Sequence, residues 1–168
     1  MSLFPTEIET QAAGLIAHFR ERQLMLATAE SCTGGLIAGA LTEISGSSAV
    51  VDRGFVTYTN QAKMDLLGVL PATLDQFGAV SRETALQMVR GALYRSKADV
   101  ALAVTGIAGP GGGSAEKPVG LVHLAAASRS GRMIHREMRY GAIGRGAVRI
   151  ATVATALEML MEAAQASA

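Results

Sequence analysis

The chain of 168 residues is long enough for one domain with a buried core and too short for two ordinary ones. Hydrophobic residues make up 49% and charged residues only 17%, which excludes a disordered chain. Fifteen basic against fourteen acidic residues leave a net charge of +1, which argues against a broad nucleic-acid or anionic-membrane footprint and leaves room for one small anion held locally.

In chain order, Thr6 with Glu9 reads as a capping box opening a helix that carries Ile8, Ala12, Leu15, Ile16 and Phe19 at helical spacing as far as Arg22. Leu24 to Ala29 reads as a short buried strand running into Glu30-Ser31-Cys32-Thr33-Gly34-Gly35, and a second helix extends from about Gly34 to Glu43, ending near Gly46. Val50 to Thr59, rich in β-branched and aromatic residues, predicts a second strand, after which Asn60 caps a short helix that stops near Gly68. Pro71 to Gly78 forms a turn or a short helix, and Ser81 caps a long helix running to Lys97. Ala98 to Val104 is a buried strand and Thr105 to Pro118 a glycine-rich loop. Val119–Ser128 and Met133–Tyr140, joined by Ser130-Gly131, form an antiparallel hairpin. A last helix spans about Gly144 to Ala164. The pattern predicts a single three-layer α/β/α domain over residues 1–168, with a mixed sheet of about five strands.

One cysteine, Cys32, excludes an internal disulfide or a CxxC metal ribbon and suits a reducing cytoplasm. The acidic start has no apolar signal segment and no stretch reaches membrane-spanning length, so a cytoplasmic protein without membrane contact is expected. His18, His123 and His135 stand singly, which argues against a metal site.

In open α/β sheets ligands bind beyond the carboxyl ends of the strands, and two loops there carry unusual composition. In Ala29–Gly35, a strand-to-helix turn, glycines permit close backbone approach and the helix N-terminus offers free N–H groups to an anion; alternatively Ser31 and Thr33 simply cap the helix. In Thr105–Gly113 the P-loop ending is missing and a strand follows where a dinucleotide fingerprint needs a helix, leaving an anion-binding nest or a plain connection. Of three lysines, Lys97 and Lys117 read as solvated. Lys63 lies at a helix start, where the positive dipole end favours a neutral amine able to activate a serine, although a solvated helical lysine has the same spacing. Ser45-Gly46-Ser47-Ser48 adds hydroxyls or merely stops a helix. Arg145 and Arg149 share a helix face, as a phosphate clamp or a solvated basic face.

The segments AESCTGGLIAGALTEISGSSAVVDRGFVTYTNQAKMDLLGV, VSRETALQMV, ADVALAVTGIAGPGGGSAEKPVGLVHLA and GRGAVRIATVATALEML together resemble the C-terminal domain of the CinA (competence/damage-inducible protein) family, the nicotinamide-nucleotide amidases also called PncC. The resemblance spans roughly residues 5 to 162 and looks like a stand-alone form, lacking the N-terminal domain linked to pyrophosphatase activity. It implies an anticodon-binding-domain-like fold with one antiparallel strand and, commonly, a homodimer. It also implies metal-free and cofactor-free hydrolysis of the carboxamide of nicotinamide mononucleotide by a Ser/Lys dyad. Carried onto this sequence, Ser31 is the nucleophile and Lys63 the base, with Tyr58 and Ser48 supporting the base or relaying its proton. The substrate would be held by Glu30, Cys32, Thr33, Gly34 and Gly35, with Thr105, Gly106, Gly109, Gly111 and Arg145 toward its phosphate. The helix N–H groups beside Ser31 would hold the oxyanion. Cys32 offers a rival thiolate with Glu30 and Lys63 as partners, and a non-catalytic nucleotide-binding module is the alternative for the whole chain. DNA binding fits poorly with the near-neutral charge.

Overall fold

The computed structural model describes residues 1–165. Its elements run α1 (Thr6–Glu21), β1 (Leu26–Glu30), α2 (Leu36–Thr42), β2 (Val51–Val56), α3 (Asn60–Leu67), α4 (Pro71–Phe77), α5 (Arg82–Tyr94), β3 (Val100–Gly106), β4 (Leu121–Ser128), β5 (Met133–Arg139) and α6 (Arg145–Gln165). The strands form one sheet in the order β2-β1-β3-β4-β5. Strand β1 pairs in parallel with β2 and β3, and β4 pairs antiparallel with β3 and β5, so β4 alone runs against the other four.

The sheet's two faces are sorted by side-chain size. Val100, Leu102 and Val104 of β3, with Val122 and Leu124 of β4, pack under α1, α2 and α6. The intervening Ala101, Ala103, Ala125 and Ala127, with Ala27 and Ala29 of β1, face α3, α4 and α5. Period-two alternation of large and small residues therefore builds a three-layer domain with a thick core on one side and a close-packed one on the other. On the alanine side, Gly91 of α5 lies against the Leu67 carbonyl, in space that any Cβ would have to share.

Local chemistry explains the differences from the sequence reading. Thr6 is already helical, its cap position is Pro5, and no side-chain cap bond forms, so the Thr6/Glu9 capping box is absent. Helix α3 is capped by Thr59 rather than Asn60, the Thr59 hydroxyl accepting the Ala62 N–H at 3.0 Å. Ser81 does cap α5, accepting the Thr84 N–H at 3.1 Å, while the Thr84 hydroxyl donates to the Gly78 carbonyl at 2.8 Å. Pro71 to Phe77 is a full short helix with proline in its first turn, where a missing N–H costs nothing.

Strand β1 lies between β2 and β3, and the helical layers divide around it. The helix after it, α2, packs on one face of the sheet, whereas the helices leading into β3 pack on the other. The chain thus diverges at the carboxyl ends of β1 and β3, which is where a crevice opens in such sheets. Among the described residues no helix is long and apolar enough to cross a membrane.

Candidate active site

Ser31 is the first residue past β1, and its N–H donates to the Val104 carbonyl of β3 at 3.1 Å. Lys63 belongs to α3 and is only 1% exposed. Its Nζ donates to Ser31 Oγ at 2.9 Å, to the Thr57 carbonyl at 2.8 Å and to the Tyr58 carbonyl at 3.4 Å. Among the described residues no carboxylate touches it, so none repays the loss of water around a charged ammonium. Burial pushes the Lys63 amine down from 10.5 to about 8, with the nearby Cys32 sulfur opposing this weakly. The cause is thus desolvation more than the helix dipole.

Ser31, Cys32 and Lys63 lie in a cleft of about 270 Å³. Its other walls are Thr105 to Gly109 with Gly111 and Gly112, the pair Ala79 and Val80, and Tyr58 with Arg145. Three hydrogen bonds brace these walls. The Thr105 hydroxyl donates to the Ala79 carbonyl at 2.8 Å, and Arg145 donates to the Gly109 carbonyl at 2.9 Å and to the Tyr58 hydroxyl at 2.8 Å. Lys117 is not merely solvated: its Nζ donates to the Phe77 carbonyl at 2.6 Å, a cation at a helix C-terminus that ties the glycine-rich loop to α4.

The structure sets several of the residues that the sequence grouped into one site apart from the Ser31–Lys63 pair. Ser48 is exposed in a single 3-10 turn, Ser47–Ala49, before β2, whereas Lys63 follows that strand's far end. Six extended residues separate the two by roughly 20 Å, so Ser48 reaches neither Lys63 nor Ser31. Tyr58 meets the base only through its backbone carbonyl; its hydroxyl belongs to Arg145. Glu30 is 1% exposed and outside the cleft lining. Its carboxylate accepts the Thr33 hydroxyl at 2.7 Å and the Ile37 and Ala38 N–H groups at 2.9 and 3.0 Å. It therefore caps α2 instead of holding a ligand, and it occupies the helix N–H groups proposed for the oxyanion.

Thr33, Gly34 and Gly35 likewise build the turn and do not line the cleft. Gly34 and Gly35 have φ of 58° and 101°, conformations that β-carbons disfavour. The N–H groups of Cys32 and Thr33, in contrast, bond to no other described residue. Burial pushes the Cys32 thiol up to about 11, against an opposing influence from its own backbone and Arg149, so it remains a protonated thiol.

Three contributors, Ala79, Val80 and Thr57, were not singled out in the sequence. Ala79 and Val80 are apolar loop residues without any local signal. The Thr57 carbonyl that holds Lys63 is backbone, which composition does not reveal. Arg149, marked only by its spacing from Arg145, donates to the Cys32 and Thr33 carbonyls, each at 3.1 Å. Elsewhere His123 and His135, read as scattered, stack with ring nitrogens 3.0 Å apart. Among the described residues no group of three or more His, Cys, Asp or Glu side chains is arranged to hold a metal ion.

The profile of the CinA C-terminal domain matches residues 8–164. The chain belongs to the CinA C-terminal domain family. A nicotinamide-nucleotide amidohydrolase PncC of Enterobacter agglomerans is 53% identical over 130 residues, covering 77% of this chain and 79% of that protein. A CinA-like protein of Geobacter sulfurreducens is 52% identical over 153 residues, which are 91% of this chain and 36% of the relative. This CinA domain thus spans little more than a third of such longer relatives. Among solved structures, competence/damage inducible protein CihA from Agrobacterium tumefaciens superposes with a TM-score of 0.96 at 70% identity, covering 97% of this chain and 99% of that one. A CinA superfamily protein from Escherichia coli gives 0.88 at 37% identity over 96% and 94% of the two chains.

Proposed function

We propose that this CinA domain is a metal-free amidohydrolase that converts nicotinamide mononucleotide to nicotinic acid mononucleotide and ammonia, with Ser31 as nucleophile and Lys63 as general base. The observation that carries the reading is the 2.9 Å contact between Ser31 Oγ and a buried lysine that lines the same cleft and has no carboxylate partner among the described residues. The PncC amidohydrolase relative supports the substrate class.

The three neighbours of Lys63 Nζ suit a neutral amine. Charged, the ammonium donates to all three; once neutral it keeps two N–H groups for the Thr57 and Tyr58 carbonyls and turns its single lone pair to the Ser31 hydroxyl, which then becomes the donor. The neutral amine takes the Ser31 proton as Oγ attacks the carboxamide carbon. The negative charge on the former carbonyl oxygen is met by the N–H groups of Cys32 and Thr33, which lie next in the chain to the nucleophile. Lys63 then returns its proton to the amide nitrogen, the C–N bond breaks and ammonia leaves. Water, deprotonated by the same amine, cleaves the resulting acyl-serine, freeing the acid and restoring Ser31. The nucleotide phosphate is assigned to the wall of the cleft formed by Gly109, Gly111, Gly112 and the Arg145 guanidinium. Cys32, held as a thiol, is a wall of the site rather than its nucleophile.

The test is ammonia release from nicotinamide mononucleotide by the wild type, Ser31→Ala and Lys63→Ala, each with and without EDTA. Turnover that resists EDTA and disappears in both variants is expected. Tight nucleotide binding without turnover in the wild type would replace the amidase by a binding module.

A further inference from the structure

Arg149 sits one turn beyond Arg145 on α6 but is used differently. It does not line the cleft. Its Nε and Nη2 donate to two successive carbonyls, those of Cys32 and Thr33, both at 3.1 Å, from 116 or more residues away in sequence. We propose that Arg149 is a positioning residue for the nucleophile turn, which it clamps and polarises from behind, and not a ligand of the substrate phosphate.

Three observations converge on this. First, the turn is soft in itself: Gly34 and Gly35 both have positive φ, and the turn's own backbone bonds are Gly34 N–H to the Ser31 carbonyl at 3.0 Å and Leu36 N–H to the Thr33 carbonyl at 3.1 Å. Second, external groups hold it on two sides. Glu30 binds the Thr33 hydroxyl and the start of α2, and Arg149 binds the carbonyls. A guanidinium spanning two acceptors fixes their relative orientation in a way one ammonium does not. The absence of a side chain at Gly34 keeps that approach open, since a Cβ there would stand 3.3 Å from Arg149 Nη2. Third, the Cys32 carbonyl and the Thr33 N–H belong to one peptide group. A charged donor on that carbonyl draws electron density from the peptide and makes its N–H a stronger donor. Thr33 N–H bonds to no other described residue and is one of the two groups that meet the oxyanion in the proposed reaction.

This inference rests on the amidase reading, and its consequence is a split between kcat and KM. Steady-state kinetics with nicotinamide mononucleotide are measured on the wild type, Ser31→Ala, Arg149→Met, Arg149→Lys and Arg149→Ala, with folding checked by circular dichroism and rates expressed per folded molecule. Losing a direct oxyanion donor costs about 100- to 1000-fold in kcat, and Arg149 acts one bond removed, so Arg149→Met is expected to lose about 10- to 100-fold in kcat with KM within about twofold. Arg149→Lys keeps the charge without the fork and falls between. Added guanidinium ion restores part of the rate of Arg149→Ala, which a purely structural defect does not allow. If Arg149→Met fails to fold, the lysine variant carries the same comparison. A raised KM at unchanged kcat would assign Arg149 to substrate binding and overturn the proposal, as would wild-type kinetics in a folded variant. Failure of the amidase reading shows separately, as absent turnover in the wild type or retained turnover in Ser31→Ala.

Discussion

Replacing Lys63 by methionine removes the ionisable group that touches Ser31 while keeping most of the buried volume. Burial lowers its amine from 10.5 to about 8. An amine whose affinity for protons is lower when folded destabilises the folded state wherever the unfolded chain would hold the proton. By linkage that cost is about 3 kcal/mol at pH 7, about 2 kcal/mol at pH 9 and close to nothing above 10.5. Methionine relieves it but leaves the Thr57 and Tyr58 carbonyls without their donor, which costs about 1–3 kcal/mol for each that stays dry. The two effects oppose each other at pH 7, so the net change there is uninformative.

The pH dependence is informative, because the carbonyl loss does not titrate. From pH 7 to pH 9 the wild type gains about 1 kcal/mol relative to Lys63→Met. Other titrating groups, Cys32 included, are present in both proteins and largely cancel. Urea unfolding at pH 7, 8 and 9 reads this as a gap between midpoints that changes by about 0.5 M, for a slope of ~2 kcal/mol/M. Parallel midpoints across that range would refute the claim that desolvation holds Lys63 low, and with it the physical basis of a neutral base.

The same group sets the pH dependence of turnover. With an amine near 8, about one Lys63 in eleven is neutral at pH 7 and most are at pH 9, so kcat/KM rises roughly tenfold over that interval; a flat profile contradicts the base role. Cys32→Ser retains turnover, and the wild type resists iodoacetamide at pH 7, because the thiol is buried and protonated up to about 11; rapid loss of activity on alkylation would restore the thiolate reading. Glu30→Ala lowers stability by about 2–3 kcal/mol in urea unfolding, since it strips the α2 cap and orphans the Thr33 hydroxyl; a loss below about 0.5 kcal/mol would mean that water replaces the carboxylate. Gly91→Ala destabilises by at least about 2 kcal/mol, read the same way, because its methyl group meets the rigid Leu67 carbonyl; a stabilised variant would show that α5 can shift outward.

Glu30 and Arg149 show why a strand-to-helix turn with glycines, serine and threonine is ambiguous in sequence. Anion-binding turns need free N–H groups, and here the first N–H groups of α2 are already taken by the chain's own carboxylate. What makes the turn a candidate site is its first residue, Ser31, together with a base delivered from another element.

The features legible in the residues themselves were those with local causes. The V-A-L-A-V alternation of β3 sets which face each side chain takes, because strand geometry has period two. The Ser81 cap, the Gly68 stop and the glycine-rich turns follow from backbone chemistry within a few residues. The motifs around Ser31, Lys63 and the 105–113 loop were visible for the same reason, and the fold places all three around one cleft. The tertiary structure alone decided the rest. Ser48 and Tyr58 are close to Lys63 in sequence, yet strand β2 carries Ser48 to the opposite end of the sheet and Arg145 takes the Tyr58 hydroxyl. Glu30 moved from ligand to cap because its carboxylate reaches N–H groups seven and eight residues on. Ala79, Val80 and Arg149 enter through packing of α4, α5 and α6 against strands far away in the chain. The proton affinity of Lys63 belongs to this second class: a lysine at a helix start is ordinarily solvated, and only the closing of β1, β2 and α3 around it removes the water that would keep it charged.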